Sequence, residues 1–237
     1  MTGPIHSVTD PTSGLMLEAE LLAGAGPGVV SWTSKTRAIV CPASMSRKKG
    51  FKAAADRSAA RGWPVVSRPT GGGAVPQGPG VLNLAVALTV KPGFTIEDGY
   101  RLLTRPIMHT LAQADLLAEI GDTPGSFCDG KWNLSVAGRK IVGTAQRWRS
   151  LPQGGTRVLI HALILTHGRL GPGAIAVDAL HQGLALGKRV RPEAHTSLEA
   201  VLEARPAEVS ALGTSFHDAA WRELTRTAPG QEVRAAA

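Results

Sequence analysis

The sequence predicts one mixed domain, α+β or α/β. Short Val- and Leu-rich runs alternate with Ala- and Leu-rich stretches at helical spacing. No internal repeat and no low-complexity linker divides the chain. The 237 residues are 43% apolar, enough for one sizeable core. Aromatic residues are only 4%, so that core must be built mostly of Ala, Leu, Val and Ile.

Residues 1–13 are polar and contain prolines, which reads as a flexible arm before a domain spanning 14–227. Gly14 to Ala25 places Leu15, Leu17, Leu21 and Leu22 at helical spacing. Gly28 to Thr33 and Thr36 to Cys41 read as strands around a short turn. Ser46 to Gly62 is basic and Ala-rich, an exposed helix ending at Gly62. Pro64 to Arg68 is a short strand running into a glycine loop. Val81 to Val90 is Val/Leu-rich with small residues between, as in a buried strand. Ile96 to Leu117 is a helix interrupted near Pro106, since proline removes a backbone donor. Trp132 to Val136 and Lys140 to Gln146 flank Ala137-Gly138, the signature of a hairpin turn. Val158 to Thr166 is strongly β-prone. From Gly173 on, helices are expected, broken at Pro192, Pro206 and Gly213, with a frayed tail over 228–237.

The formal net charge is +8. A basic surface favours acidic partners. The basic residues form no long block beyond Arg47-Lys48-Lys49, which argues against a dedicated nucleic-acid tail. The two cysteines, Cys41 and Cys128, form no CxxC pair and no metal spacing. No apolar run approaches the roughly 18–20 residues of a membrane span, and residues 1–12 lack the apolar core of a signal peptide. A cytoplasmic protein with no metal site, no nucleic acid and no membrane partner is expected.

Two segments carry chemistry. Ser67-Arg68-Pro69-Thr70-Gly71-Gly72-Gly73-Ala74-Val75 sets a triple glycine beside an arginine. Without Cβ atoms, such a backbone can approach a ligand closely and turn its N–H groups toward an anion. Gly138-Arg139-Lys140-Ile141-Val142-Gly143-Thr144-Ala145-Gln146 sets a lysine among small residues. Its ammonium can reach a carboxylate or phosphate held by that backbone. Together they suggest a site for an acid held or activated as an acyl group.

These two segments, in this order, resemble the lipoate–protein ligase A family, within the catalytic-domain superfamily that includes octanoyltransferases and biotin–protein ligases. That family carries Arg-Arg-x-Ser/Thr-Gly-Gly-Gly-Ala-Val and then Gly-Arg-Lys-Ile/Val-x-Gly-Ser/Thr-Ala. Gly138 to Ala145 match the second element at every defined position. Ile160-His161-Ala162-Leu163-Ile164-Leu165 is a looser match to a third, His-Gly-x-Leu-Leu, and Trp32 sits where the family has a strand tryptophan. The resemblance implies an α+β domain with a mixed β-sheet flanked by helices. It implies an enzyme that attaches lipoate or octanoate to a lysine of an acidic lipoyl carrier domain, either a 2-oxoacid dehydrogenase subunit or a glycine cleavage H-like protein. In the ligase form, ATP and Mg make an acyl-adenylate. Lys140 would then stabilise charge between the carboxylate and the α-phosphate. The implied binding residues are Arg68, Thr70, Gly71, Gly72, Gly73, Ala74, Val75, Gly143, Thr144 and Ala145. Arg68 would hold the anion, and Val75 and Leu84 would wall an apolar tunnel for the acyl chain. Asn83 has two open readings, ligand contact or turn stabilisation. His161 has two as well, a ligand contact or a satisfied core histidine.

The chain departs from that pattern at two places. Ser67 replaces the first arginine, and Pro76-Gln77-Gly78-Pro79-Gly80 replaces an aromatic-His-Asp run. Cys128 precedes Lys140 by twelve positions, near where one octanoyltransferase group has its nucleophile. Three readings therefore stand. The first is an ATP-dependent lipoate ligase, with an accessory subunit as a possible separate partner. The second is an octanoyltransferase that loads Cys128 from acyl carrier protein. The third is a non-catalytic lipoyl- or acyl-binding module. Cys128 could equally be a plain loop residue, and Cys41 is expected in the core.

Overall fold

The computed structural model describes residues 4–152 and 154–227, so the expected tail over 228–237 lies outside the described residues. In chain order the elements are β1 (Ile5–Val8), α1 (Pro11–Ala23), β2 (Gly28–Ser34), β3 (Ala38–Pro42), α2 (Ala43–Ser46), α3 (Phe51–Ala60), β4 (Val65–Arg68), β5 (Val75–Gln77) and β6 (Val81–Val90). They continue with α4 (Ile96–Ala112), β7 (Glu119–Ile120), β8 (Leu134–Val136), β9 (Arg139–Ser150), β10 (Thr156–Leu165), α5 (Gly171–Gly183), α6 (Leu198–Leu202) and α7 (Pro206–Thr227). The fold is α+β, as the family resemblance implied.

The main sheet has seven strands in the order β1-β2-β6-β10-β9-β8-β7. Only β1 and β2 pair in parallel; the other neighbours are antiparallel. Period-2 alternation splits the central strands into two faces. From β6, Leu82, Leu84, Val86 and Leu88 join Val158, Ile160 and Ile164 of β10 in a core with Leu103, Ile107 and Leu111 of α4 and Phe216 of α7. The opposite face carries smaller residues, Ala85 and Ala87 beside Leu159, under Leu22 of α1. The second sheet, β4-β3-β5, packs with α5 against the far end of this face, where Ile39, Val75, Leu163 and Val177 share a core.

Local chemistry sets the helix ends. Asp10 caps α1 by accepting from the Ser13 amide, with proline at the first helical position. Thr95 and Asp98 close a reciprocal capping box at α4. Ala137 and Gly138 both adopt positive φ (49° and 70°), the geometry of the hairpin turn expected there.

Several element expectations are corrected. Within the stretch read as an arm, Ile5–Val8 pair with Ser31–Ser34 of β2, and α1 already begins at Pro11. In the span 46–62 the helix covers only Phe51–Ala60, starting after Gly50 at φ 80°, while Ser46 ends the short α2. The α4 helix runs through Pro106, held by buried Leu102, Leu103, Ile107 and Leu111 on both sides of it. Gly213 does not break α7. A Cβ there would lie 3.1 Å from Ile5 Cδ1 and 3.4 Å from Leu82 Cδ2, so the glycine lets the helix lie close against the sheet. Leu84 faces the α4/α7 core and walls no tunnel on the other face. Among the described residues no helix is long and apolar enough to cross a membrane.

One close approach positions the site. Gly14 of α1 lies on the indole of Trp32, where a Cβ would overlap ring atom Cε3. Trp32 is fully buried, so its ring cannot give way easily. Gly14→Ala should therefore destabilise the fold by about 1–3 kcal/mol through overpacking. Chemical denaturation of the two proteins measures this, and equal midpoints would refute it.

Candidate active site

The glycine loop is held from behind by Arg68. Its side chain is 3% exposed. Nε donates to Thr70 Oγ1 at 2.9 Å, Nη1 to the Val40 carbonyl at 3.0 Å, and Nη2 to the Gly71 and Gly73 carbonyls, both at 2.8 Å. A guanidinium has five N–H donors. Four contacts go to the loop and its neighbour strand, so Arg68 builds the cradle, and it also lines the slot beside it. Thr70 serves the same contact. Gly72 takes φ 92°, which favours glycine. The amide of Gly73 then points out of the loop at Cys128, donating to Sγ at 3.0 Å.

Cys128 sits in a loop over β9. Its backbone takes φ 47°, in the left-handed region. Two groups fix that conformation through the Cys128 carbonyl, Lys140 Nζ at 2.8 Å and Asn133 Nδ2 at 2.9 Å. Lys140 also donates to the Phe127 carbonyl at 2.6 Å, and its ammonium lies 5.2 Å from the Phe127 ring centroid. It has no exposed surface. Gly143 makes room, since a Cβ there would lie 3.2 Å from Lys140 Nζ. Burial pulls the Lys140 pKa down to about 8, with the Arg68 charge adding to the effect and Cys128 and Asp129 opposing it. The expectation that this ammonium lies beside the glycine cradle is thus met only through Cys128. The peptide of that residue takes the lysine and its sulfur takes the glycine amide.

His195 supports the same loop. Its Nε2 accepts from the Phe127 amide at 3.0 Å, and its ring stacks on Phe127 with centroids 4.1 Å apart. Burial, together with the Lys140 charge, lowers its pKa to about 4, so the ring is neutral and can accept. Nothing in the sequence marks His195; only the long-range pairing of its backbone beside Lys140 brings it here.

A narrow slot opens beside Cys128 between the two sheets and α1. Apolar walls come from Leu15, Trp32, Val40, Val75 and Leu163, with Gly143, Thr144 and Ala145 along one side. Its volume is about 30 Å³, room for about two water molecules. Any guest longer than that must push wall side chains apart. Ala74 belongs to the adjoining core instead of the slot. Thr144 is fixed by its amide to Asn133 Oδ1 and its hydroxyl to the Trp132 carbonyl, both at 2.9 Å. Asn83 reaches the slot wall but pairs side by side with Gln77, at 2.6 and 3.0 Å. His161 also lines the slot, with Nδ1 2.9 Å from Glu18 Oε2. The other oxygen of Glu18 accepts from Trp32 Nε1 at 3.0 Å. Glu18 was not singled out from the sequence, although a lone carboxylate between Leu15 and Leu22 on one helical stripe is a readable signal. Cys41 is fully buried, and burial raises its pKa to about 11, which leaves it an inert thiol.

A glycine cradle, a free cysteine and a buried lysine thus meet at the end of an apolar slot. The profile of the lipoyl protein ligase A/B catalytic domain matches residues 45–209, and the chain belongs to that family. An octanoyl-[GcvH]:protein N-octanoyltransferase of Kyrpidia tusciae is 44% identical over 110 residues, covering 46% of this chain and 38% of that one. An uncharacterised protein of Cupriavidus necator is 34% identical over 226 residues, covering 88% of each. The chain thus spans well under half of the transferase it matches and nearly all of the second relative. A Thermoplasma acidophilum protein solved with bound lipoic acid has the same fold, with a TM-score of 0.70 at 18% identity, covering 100% of this chain and 90% of that one.

The buried neutral His195 makes the loop sensitive to acid. Its folded pKa of about 4 lies below the unfolded value, near 6.5. Below about 6.5 the unfolded chain binds more protons, so stability falls with pH until about 4, by up to about 3 kcal/mol. Replacing it, as in His195→Gln, should flatten this part of the stability–pH curve. Urea titrations from pH 7 to 4 check it, and parallel curves would contradict the assignment.

Proposed function

We propose that this protein is an acyltransferase that carries an octanoyl or lipoyl group as a thioester on Cys128 and passes it to a lysine of a lipoyl carrier domain. The observation that supports this most is the placement of the sulfur. Sγ lies 3.0 Å from the Gly73 amide, and the ammonium of Lys140 grips the same residue's carbonyl. A donor therefore meets the atom on which charge develops, and a cation is held at the backbone carbonyl of the same residue. The Kyrpidia relative, an octanoyl-[GcvH]:protein N-octanoyltransferase, points the same way.

The chemistry follows in two displacements. The thiolate attacks the acyl carbonyl of the donor, an octanoylated carrier. The C–S bond forms, the bond to the donor's nitrogen or sulfur breaks, and that leaving atom takes a proton. The acceptor lysine nitrogen then attacks the thioester, forming the amide and releasing the thiolate. The slot holds the acyl chain and keeps water from the thioester, and the rigid cradle supplies positioning. Lys140, buried behind the loop, offsets negative charge at the sulfur and fixes its aim.

The ligase alternative would supply activation through ATP and Mg. The residues present fit that poorly. Where the family has an aromatic-His-Asp run, Gln77 is buried and spent on Asn83. A basic chain of net charge +8 suits the acidic surfaces of lipoyl carrier domains.

The test is a mass assay on a lipoyl domain with unmodified lysine. One tube holds lipoate and ATP; others hold octanoyl-GcvH or octanoyl acyl carrier protein without ATP. Octanoyl transfer without ATP and a hydroxylamine-labile adduct on Cys128 are expected. Cys128→Ser should reduce turnover by about 10³-fold or more. Modification that needs ATP and survives Cys128→Ser would overturn the reading. Acceptor affinity should also fall steeply between low and physiological salt; a flat salt profile would remove the electrostatic part.

A further inference from the structure

Cys128 borders two cavities. The acyl slot lies on one side; a second cavity, of about 530 Å³, lies on the other. The second is lined by Gly72 and Gly73, by Ser126, and by His181 and Val190. His181, in the last turn of α5, is 6% exposed, and neither ring nitrogen has a hydrogen-bond partner. Ser126 Oγ is likewise buried without one. Buried polar groups are nearly always satisfied. His181 and Ser126 both lie in the wall of the cavity that Cys128 borders, with their polar atoms covered, so a polar guest meets them once that wall shifts.

We propose that this cavity admits the acceptor lysine, and that His181 takes the proton the lysine must lose before it attacks the Cys128 thioester. The proposal rests on the thioester reading and adds a residue and a direction of approach to it. The two-cavity arrangement separates the partners: acyl chain on one side of the sulfur, amine on the other. A lysine arrives as an ammonium with a pKa near 10.4, so it is a poor nucleophile at neutral pH. His181 accepts one proton and frees the nitrogen pair. The nitrogen attacks the carbonyl carbon, the C–S bond breaks with its electrons going to sulfur, and the second nitrogen proton leaves with the thiol. The imidazolium then returns its proton to water through the open cavity.

The surroundings suit this role. Burial holds the His181 ring below its ordinary value, so it is a free base at neutral pH. On its own helix Asp178 favours the charged ring, but that carboxylate is held by Arg189 at 3.0 Å and by the Val190 amide at 2.7 Å. Lys188 opposes protonation by its charge, while its backbone, close to the ring, favours it. Across the cavity stand Asp129 and Cys128. From α3, Arg57 approaches the end of the same helix at Gly183.

The experiment separates the two displacements. Wild type, His181→Gln and His181→Ala are loaded with octanoate from octanoyl acyl carrier protein, and the adduct on Cys128 is quantified. Each loaded enzyme is then mixed with unmodified lipoyl domain between pH 6 and 9.5 for single-turnover rates. Loading should be unchanged in the variants, which also shows that they fold. Transfer should fall about 10²-fold near neutral pH. The deficit should shrink as pH rises, and added imidazole should restore His181→Ala. The wild-type rate should level off above the histidine range. A wild-type rate that climbs tenfold per pH unit to pH 9 overturns the proposal, as does a His181→Gln transfer profile parallel to wild type without rescue. Failure of wild-type Cys128 to load from octanoyl acyl carrier protein and from octanoyl-GcvH alike overturns the thioester reading itself, and this role with it.

Discussion

One buried cation organises the centre of this molecule. Lys140 comes off an antiparallel strand with no route to water, and its ammonium is satisfied by two carbonyls of one loop. A charge so placed is costly unless hydrogen-bonded, so the loop cannot move away without stranding it. Everything near the sulfur inherits that constraint. Phe127 is pinned between the ammonium and the His195 ring, and Cys128 is turned so that its side chain meets the glycine amide. The glycine loop is braced in turn by a guanidinium facing its carbonyls. Two cations, each behind a stretch of backbone, thus hold the two halves of the site against one another.

Much of this was legible in the sequence where the signal is local. The β8–β9 hairpin, β6 and β10 were readable because alternation and turn residues lie within ten residues or so of each other. The glycine loop and the lysine strand were readable as a pair because their order is specific. What escaped depends on partners far along the chain. Ile5–Val8 become a strand only because β2 offers an edge and Gly213 lets α7 lie close. Val75–Gln77 are too short to announce themselves, yet they complete the small sheet. Arginine beside glycines suggests an anion grip. The identity of its acceptors, carbonyls of its own loop, is a tertiary fact.

The far wall of the acyl slot shows a similar division. Glu18 sits on the buried stripe of α1, where an acidic residue is costly without partners. Its two oxygens are divided between Trp32 and His161. That contact ties the first helix to β2 and to β10, elements 143 positions apart in the case of His161. The slot therefore does not exist as a local motif. It is assembled from α1, the small sheet and the centre of the large one, and its narrowness reflects how tightly the glycine at position 14 lets α1 settle.

The left-handed backbone at Cys128 has a consequence for how this position can vary. A side chain in that conformation costs roughly 1–2 kcal/mol over an unhindered one. Glycine would relieve the twist, whereas alanine or serine would keep it. A chain that gave up the thiol for glycine would gain robustness and lose its reactive atom. Selection for a sturdier fold and selection for chemistry pull in opposite directions at this residue.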